Sequence, residues 1–327
     1  MTGEERRAMI AEAERWFEQH GLPYFVAGNE RRVLATLRRT RLAPVIVVAL
    51  VVGLAAGVGT GLLTTDVSTG VLVGAVAVAG LVFVYALVSL HLQPIVRWAV
   101  RQTFGSLGWL FPLITRALPL LLLFMTFLFI NTEVWQVSSA LDRGLLWLSV
   151  LLFATVAVAF LLVRLPEEVR RVSDEADDDG LVRICRGTPV EAASSEVTEK
   201  AAVTLSPLQR ANLVLVLLFS QALQVLLLAA SVFCFFLVFG KVAISDSVIQ
   251  SWVGDPPKPL PSLDWLPISN ELFQVSVFLA AFSGLYFTVY AVTDENYRSQ
   301  FFTSISEELE RAVGVQTVYR ALIGAAA

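Results

Sequence analysis

Polar side chains inside the long apolar runs of this 327-residue chain are its first candidates for chemistry. Gln221 and Gln224 lie three residues apart, so a helix places both amides on one face. Ser283 and Tyr286 add hydroxyl groups in a later apolar run, and Arg116 lies in an earlier one. In hydrocarbon such groups need partners, which predicts either a polar solute path or hydrogen bonds between helices. For Arg116, contact with lipid headgroups is a further interpretation.

Motifs typical of enzymes do not occur in the sequence. It contains no GxSxG, no HExxH, no P-loop and no GxGxxG after a strand. The two histidines, His20 and His91, have no Cys or His neighbour at metal-ligand spacing. No Asp, Glu, Lys or His lies in the middle of an apolar run, which argues against an ion-coupled pump. We therefore expect no catalytic residue, no metal site and no cofactor.

An acidic cluster follows the fourth apolar run. Clustered carboxylates are hard oxygen ligands for a divalent cation, but the spacing here does not match an EF-hand loop. Such charge runs are usually solvated, so a linker is the favoured interpretation and cation binding the open alternative. The next residues, Leu181–Cys185, are expected to form a short strand. The cluster comprises Asp174, Glu175, Asp177, Asp178 and Asp179.

Glycines recur every four residues in the first two apolar runs. Gly53, Gly57 and Gly61 lie in the first run, and Gly70 and Gly74 begin the second. This spacing stacks them on one helix face, where a second backbone can approach closely. The stripe predicts packing inside a helical hairpin or, alternatively, between subunits around a pore.

The elements that must position these residues are six apolar runs of about 20 residues, the length that crosses roughly 30 Å of hydrocarbon as a helix. The chain is 56% hydrophobic with a mean hydropathy of +0.70, and only 16% of its residues are charged. These values predict an all-α membrane protein with six transmembrane helices. The runs are Pro44–Leu63, Gly70–Leu90, Leu110–Ile130, Leu145–Val163, Ala211–Phe239 and Leu272–Val292.

Basic residues lie almost entirely on one side of these spans. Of the 24 Lys and Arg residues, only Arg143, Lys241 and Lys258 lie on the other side, and Arg116 lies within a span. Positively charged loops stay in the cytoplasm. The remaining 20 residues therefore predict a multi-pass plasma-membrane protein with both termini cytoplasmic.

Amphipathic cytoplasmic helices are expected at both termini. Ala13 and Phe17 lie one turn apart in the first segment, as Leu309 and Val313 do in the tail. The predicted organisation has five parts: a basic N-terminal segment (1–42), four transmembrane helices (43–163), an acidic cytoplasmic loop (164–210), two transmembrane helices (211–292) with a Pro-rich external loop (241–271), and a tail (293–327).

Arginines near the ends of the spans favour contact with anionic lipids. Arg97 and Arg101 lie one turn apart in a basic interfacial helix expected over Pro94–Leu107. Juxtamembrane arginines attract anionic headgroups without any other ligand. A protein partner or a homo-oligomer is the other expected association, and no nucleic acid is expected.

Two stretches resemble multi-span integral membrane proteins of actinobacteria whose role is unassigned. They are the sequence Gly-Leu-Pro-Tyr-Phe-Val at 21–26, and Gln209–Gly240 with its core Leu-Phe-Ser-Gln-Ala-Leu-Gln-Val. This resemblance covers about a fifth of the chain and implies a plasma-membrane location. It implies no role for individual residues.

Taken with the charge pattern, these observations predict a non-enzymatic scaffold or regulator that acts through its cytoplasmic face. Most of the polar sequence lies in the two terminal segments and the central loop, whereas the spans are poor in charge. The alternative is a channel or transporter whose polar path is lined by the fifth and sixth helices.

Overall fold

The computed structural model describes residues 3–36, 39–105, 121–178, 181–195, 205–260, 268–293 and 295–324. Within these ranges the regular structure is helical, and no strand forms. The all-α class is therefore confirmed. Leu181–Cys185 does not form the expected strand: it closes a helical turn in which the backbone N–H of Cys185 donates to the carbonyl of Leu181. An all-helical neighbourhood provides no sheet edge for a strand to pair with.

Fourteen helices are described in chain order, with one 3₁₀ turn at Pro23–Phe25. The helices are α1 Gly3–Gln19, α2 Asn29–Thr36, α3 Arg39–Thr64, α4 Val67–Ser89, α5 Gln93–Gly105, α6 Leu121–Phe129, α7 Thr132–Ala140, α8 Arg143–Asp178, α9 Leu181–Ile184, α10 Glu191–Ser194, α11 Pro207–Ala243, α12 Asp246–Val253, α13 Asn270–Thr293 and α14 Glu295–Gly324.

Five of these helices are long and apolar enough to cross a membrane. They match five of the six predicted spans: Leu42–Thr64, Val67–Ser89, Gly144–Glu167, Pro207–Ala243 and Asn270–Tyr290. The number rises to six if α6 and α7, which meet at 74°, form one bent span. Most of the predicted third span lies outside the described residues.

Local hydrogen bonds explain the bend between α6 and α7. Asn131 caps α7, because its side-chain oxygen accepts from the backbone N–H of Glu133 at 2.8 Å. The indole N–H of Trp135 donates to the carbonyl of Phe129 at 2.6 Å and so satisfies the last turn of α6. The chain thus turns sharply while those polar groups stay hydrogen-bonded.

The bundle has a buried centre and an exposed edge. Helix α13 packs against α11 and α8, and 61% of its most apolar 18-residue stretch is buried. The corresponding stretch of α4 is 0% buried, and α3 packs chiefly on α4. The α3–α4 hairpin is therefore peripheral and exposes its apolar side chains, and α11, α13 and α8 form the core.

Helix α8 extends well past its membrane span. The apolar run ends at Val163, but the helix continues through Pro166 to Asp178. A proline removes one backbone hydrogen bond, yet Leu165 and Val169 are buried against the core and hold the next turn in place. The first part of the predicted 164–210 loop is therefore helical.

At one end of the bundle, both chain termini form what we name the terminal cap. It consists of α1, the 3₁₀ turn, α2, α5, α9, α10, the first turns of α11 and the C-terminal half of α14. Eight consecutive residues of α14, Ala312–Tyr319, are buried. A helix segment buried on every side is a core element, so this end of the tail packs against protein. In α1, Ala13 and Phe17 are likewise fully buried.

The opposite end of the bundle carries the predicted Pro-rich loop. Helix α12 lies within it, and the indole rings of Trp252 and Trp135 lie 5.5 Å apart. A single antiparallel bridge joins Pro259 to Ser269, and the carboxylate of Glu271 accepts from the backbone N–H of Lys258 at 3.1 Å. These contacts tie the described parts of the loop to α7 and α13.

Candidate functional site

The polar side chains predicted to line a path lie on α11 and α13, two helices that pack against each other, with Tyr286 and Ser283 on α13. The two helices touch at Gly284, where an ideal Cβ would lie 3.4 Å from Val225 Cγ1. Gln221 is buried, whereas Gln224 is only half-buried. Ser283 is fully buried, and its hydroxyl donates to the carbonyl of Leu279 in its own helix at 2.6 Å.

Tyr286 and Arg116 were also predicted to line the polar path. The ring of Tyr286 stacks with that of Phe124 from α6 at 5.7 Å and with that of Tyr290 at 6.1 Å. Arg116 lies outside the described residues. The structure therefore places Gln221 and Gln224 on α11, Ser283 on the adjoining α13, and Tyr286 in an aromatic stack.

Several buried polar atoms on α11 and α13 lack a hydrogen-bond partner. They are Ser220 Oγ, Gln221 Nε2, Gln224 Oε1 and Ser276 Oγ. Gln221 is only 1% exposed, so its unpaired amide donor is not in contact with an open passage. An unpaired amide in an apolar interior costs about 1–3 kcal/mol, which makes this the least satisfied part of the described membrane interior.

The glycine stripe lies where α3 crosses α4. A Cβ on Gly70 would lie 2.6 Å from the carbonyl oxygen of Gly57, and one on Gly74 would lie 2.9 Å from that of Gly53. Gly61 also faces this contact, with its nitrogen 3.1 Å from the same Gly70 position. Backbone meets backbone here, so the stripe packs within the hairpin.

Asn212 joins the start of α11 to the chain that follows α1. Its side-chain oxygen accepts from the backbone N–H of Tyr24 at 2.9 Å, and its amide donates to the carbonyl of Gly21 at 2.8 Å. Asn212 is fully buried, so both bonds are shielded from water. Gly21, at φ +73°, ends α1 and turns the chain towards this contact.

Tyr319 makes the corresponding link from the other terminus. Its hydroxyl donates to Glu14 Oε1 at 2.7 Å and accepts from the backbone N–H of Ala27 at 3.1 Å. Its ring meets that of Phe17 edge-on at 5.5 Å. A residue near the C-terminus thus ties together two parts of the N-terminal segment.

Arg320 extends this network to α11. Its guanidinium donates to Gln209 Oε1 at 2.9 Å. The same oxygen accepts from the backbone N–H of Ser206, whose hydroxyl accepts from the backbone N–H of Gln209. This reciprocal pair is a capping box at the start of α11, so the tail is bonded to the cap of a membrane helix.

Burial shifts the titration of several groups in the terminal cap. It raises the pKa of Tyr24 to about 12, and the hydroxyl donates to the carbonyl of Leu90 at 2.6 Å. Burial, assisted by the carboxylate of Glu191, raises the pKa of the Cys185 thiol to about 11. Burial also lowers the pKa of His20. A protonated, buried thiol is a poor nucleophile, which argues against a reactive Cys185.

A basic cleft opens on the surface of the terminal cap between α1 and α5. Its volume is about 240 Å³, and it holds three arginines, Arg15, Arg97 and Arg101, with the carboxylate of Glu18. Sequence spacing had singled out Arg97 and Arg101 but not Arg15. No local pattern could have done so, since Arg15 is 82 residues from Arg97 and joins it only through the fold.

Metal-ligating side chains do not cluster in the part of the chain that the structure describes: no three His, Cys, Asp or Glu side chains are placed to hold an ion. The backbone of α8 carries four of the five residues of the acidic cluster, whose side chains are outside that description. Cation binding by the cluster stays a prediction.

Comparison with protein-family models, with curated proteins and with solved structures finds no match to this chain. The sequence resemblance to actinobacterial membrane proteins stays a prediction.

Proposed function

We propose that the protein is a non-enzymatic component of the plasma membrane that acts as a scaffold or regulator through its terminal cap. The cap and both termini face the cytoplasm in this proposal, because 20 of the 24 basic residues lie on that side of the spans or within the cap. The bound partner is a second protein, with another copy of the chain as the competing candidate.

One observation carries the proposal: Asn212 bonds the N-terminal segment to the base of α11, and Tyr319 bonds the tail to that same segment. Residues 21 and 24 bond to Asn212, which lies in the second turn of α11, a helix of 37 residues that runs from the cap to the opposite face. A cap built into a spanning helix is suited to holding a partner at a fixed place on the membrane. It is also suited to transmitting a change in the cap to the spans.

Site-directed photo-crosslinking in native membranes tests this proposal. A photoreactive amino acid is placed at Glu12 or Arg186, which are exposed on the cap, and as a matched control at Gln250, exposed at the opposite end. We expect both cap positions to capture the same protein and Gln250 not to. Loosening the cap with Asn212→Leu should abolish the adduct at unchanged expression. Capture from Gln250 alone, or from no position, contradicts the proposal.

The alternative, a channel or transporter, is favoured by the unpaired amide atoms of Gln221 and Gln224. Under this alternative they hydrate when a path opens between α11 and α13. Flux of small ions and polar solutes into proteoliposomes tests it, with Gln221→Leu plus Gln224→Leu as the variant and Gln250→Leu as the control. Flux that the double variant alone abolishes would establish the alternative. The leading proposal expects no flux from any of these proteins.

A further inference from the structure

We propose that the cleft between α1 and α5 binds a phosphate group carried by the headgroup of an anionic phospholipid. This rests on the proposed function for its orientation, since it places the cleft at the cytoplasmic surface of the bilayer. It names the ligand class that the terminal cap recognises. The shared chemistry is a phosphate anion, and the lipid is the source that the observations favour.

The charges in the cleft are unbalanced. Three guanidinium groups and one carboxylate line it, a formal charge of +2. None of the three arginines lies within 4.0 Å of a described carboxylate. Arg15 Nε donates to the carbonyl of Ala11 at 3.3 Å, which leaves its terminal nitrogens for a ligand. Arginine forks match phosphate oxygens in charge and in geometry, so a phosphate satisfies these donors.

The walls of the cleft add polar groups and set its size. Gln19 and Gln93 line it beside the arginines, and Trp98, which is 7% exposed, adds an apolar surface to the lining. Gln93 and Pro94 are also the first residues of α5, so a helix N-terminus faces the cleft. At about 240 Å³ it is smaller than the roughly 300–1,000 Å³ typical of small-molecule pockets. A headgroup fits this volume better than a nucleotide does.

The outer face of α5 indicates that the phosphate comes from a lipid. Arg97, Val100, Arg101 and Phe104 follow an i, i+3, i+4, i+7 spacing and share one face. Val100 is 40% exposed and Phe104 is 50% exposed, although Ile95 and Ala99 on the other face are buried. An exposed face that mixes arginines and apolar side chains is typical of helices lying at the headgroup boundary.

The start of α5 lies close to the end of a span. Helix α4 ends at Ser89, and α5 begins four residues later at Gln93. Leu90 lies between these two helices, and the hydroxyl of Tyr24 donates a hydrogen bond to its carbonyl at 2.6 Å. This short, anchored connection keeps the cleft within reach of the first layer of headgroups, where a soluble phosphate has no advantage over a lipid.

Lipid binding to the purified protein tests the proposal. The variant is Arg97→Gln plus Arg101→Gln. The matched control is Arg186→Gln plus Arg210→Gln, which removes the same charge from exposed positions outside the cleft. Native mass spectrometry counts phosphatidylglycerol retained against phosphatidylcholine. Each arginine contributes about a fivefold increase in affinity for an anionic lipid. We therefore expect the affinity for phosphatidylglycerol to fall about 25-fold in the cleft variant and less than threefold in the control.

A second arm separates the two sources of phosphate. Inorganic phosphate is titrated into wild-type protein held in phosphatidylcholine nanodiscs, and we expect no saturable binding below millimolar concentration. Micromolar phosphate binding that the cleft variant loses would overturn the lipid as the source. Equal loss of phosphatidylglycerol in both variants, or no loss in either, would overturn the site itself. Arg15→Gln, from the opposite wall, should weaken binding about fivefold and repeats the test independently.

Failure here is distinguishable from failure of the proposed function. The lipid measurement uses purified protein with no partner present, whereas crosslinking reads a partner in native membranes. Lost crosslinks with intact lipid binding would overturn the scaffold or regulator proposal alone, and the reverse result would overturn the lipid site alone.

Discussion

Asn212 and Tyr24 lie 188 positions apart in sequence, yet the backbone N–H of Tyr24 donates to the Asn212 side chain at 2.9 Å in the buried interior of the terminal cap. The same side chain donates to Gly21. One residue on a membrane helix therefore fixes the path of the N-terminal segment. A substitution at this contact therefore tests whether the terminal cap is the part of the protein that binds a partner.

Replacing Asn212 with leucine should loosen the terminal cap. Leucine offers no partner to the N–H of Tyr24 or the carbonyl of Gly21, and each unpaired buried group costs about 1–3 kcal/mol. We expect the free energy of cap unfolding to fall by about 2–6 kcal/mol for the two groups together, measured by thermal unfolding in detergent. Asn29→Ala is the matched control, because Asn29 makes one longer bond, 3.2 Å to the carbonyl of Pro23, and should cost less than 1.5 kcal/mol.

Cys185 should report cap opening directly. It is fully buried, so a water-soluble maleimide can reach it only when the cap opens locally. In a Cys234→Ser background we expect very slow labelling of the folded protein and a large acceleration on Asn212→Leu, about tenfold for each 1.4 kcal/mol lost. Rapid labelling of the unsubstituted cap would show that Cys185 is accessible and would contradict the packing described here.

High pH should destabilise the terminal cap. The pKa of Tyr24 rises from its ordinary 10.0 to about 12 in the folded protein, so the folded state holds its proton more tightly than the unfolded state. The contribution of Tyr24 to the free energy of unfolding is therefore fully present below about pH 10 and is lost as the pH rises towards 12. Burial also raises the pKa of Tyr319, which acts in the same direction. Thermal unfolding between pH 8 and 12 measures the loss, and Tyr24→Phe should flatten its slope.

Gly70→Ala should force α3 and α4 apart. The new methyl group would lie 2.6 Å from the backbone oxygen of Gly57, which cannot move aside as a flexible side chain would. We expect a loss of about 1–3 kcal/mol in thermal unfolding. Gly80→Ala on the same helix meets nothing within 4 Å and should be neutral or slightly stabilising. Equal effects from the two substitutions would show that the hairpin is not closely packed at its glycines.

Local sequence pattern predicted the long apolar helices because their signal is local. Runs of apolar residues long enough to cross a bilayer identified Leu42–Thr64, Val67–Ser89 and the three later spans with only small errors at their ends. The glycine spacing likewise pointed to the close contact of α3 with α4. The apolar runs and the glycine spacing depend only on residues close together in sequence, so they can be recognised without knowledge of the fold.

The terminal cap could not be predicted in this way. Tyr319 bonds to Glu14 and Ala27, about 300 positions away. No periodicity in the sequence predicts contacts between residues so far apart. The extension of α8 was missed for a different reason: Pro166 is a helix breaker by local rules, and only the packing of Leu165 and Val169 overrides it. The cleft depends on Arg15 meeting α5, which also emerges only in the folded chain.

The most direct test of the central claim is native mass spectrometry of the protein extracted from its own membranes into nanodiscs. The account predicts one or two copies of the chain carrying a distinct second protein, which is lost in Asn212→Leu but retained in Asn29→Ala. A ring of several copies without another protein, together with solute flux that Gln221→Leu plus Gln224→Leu abolishes, would contradict it and establish a channel.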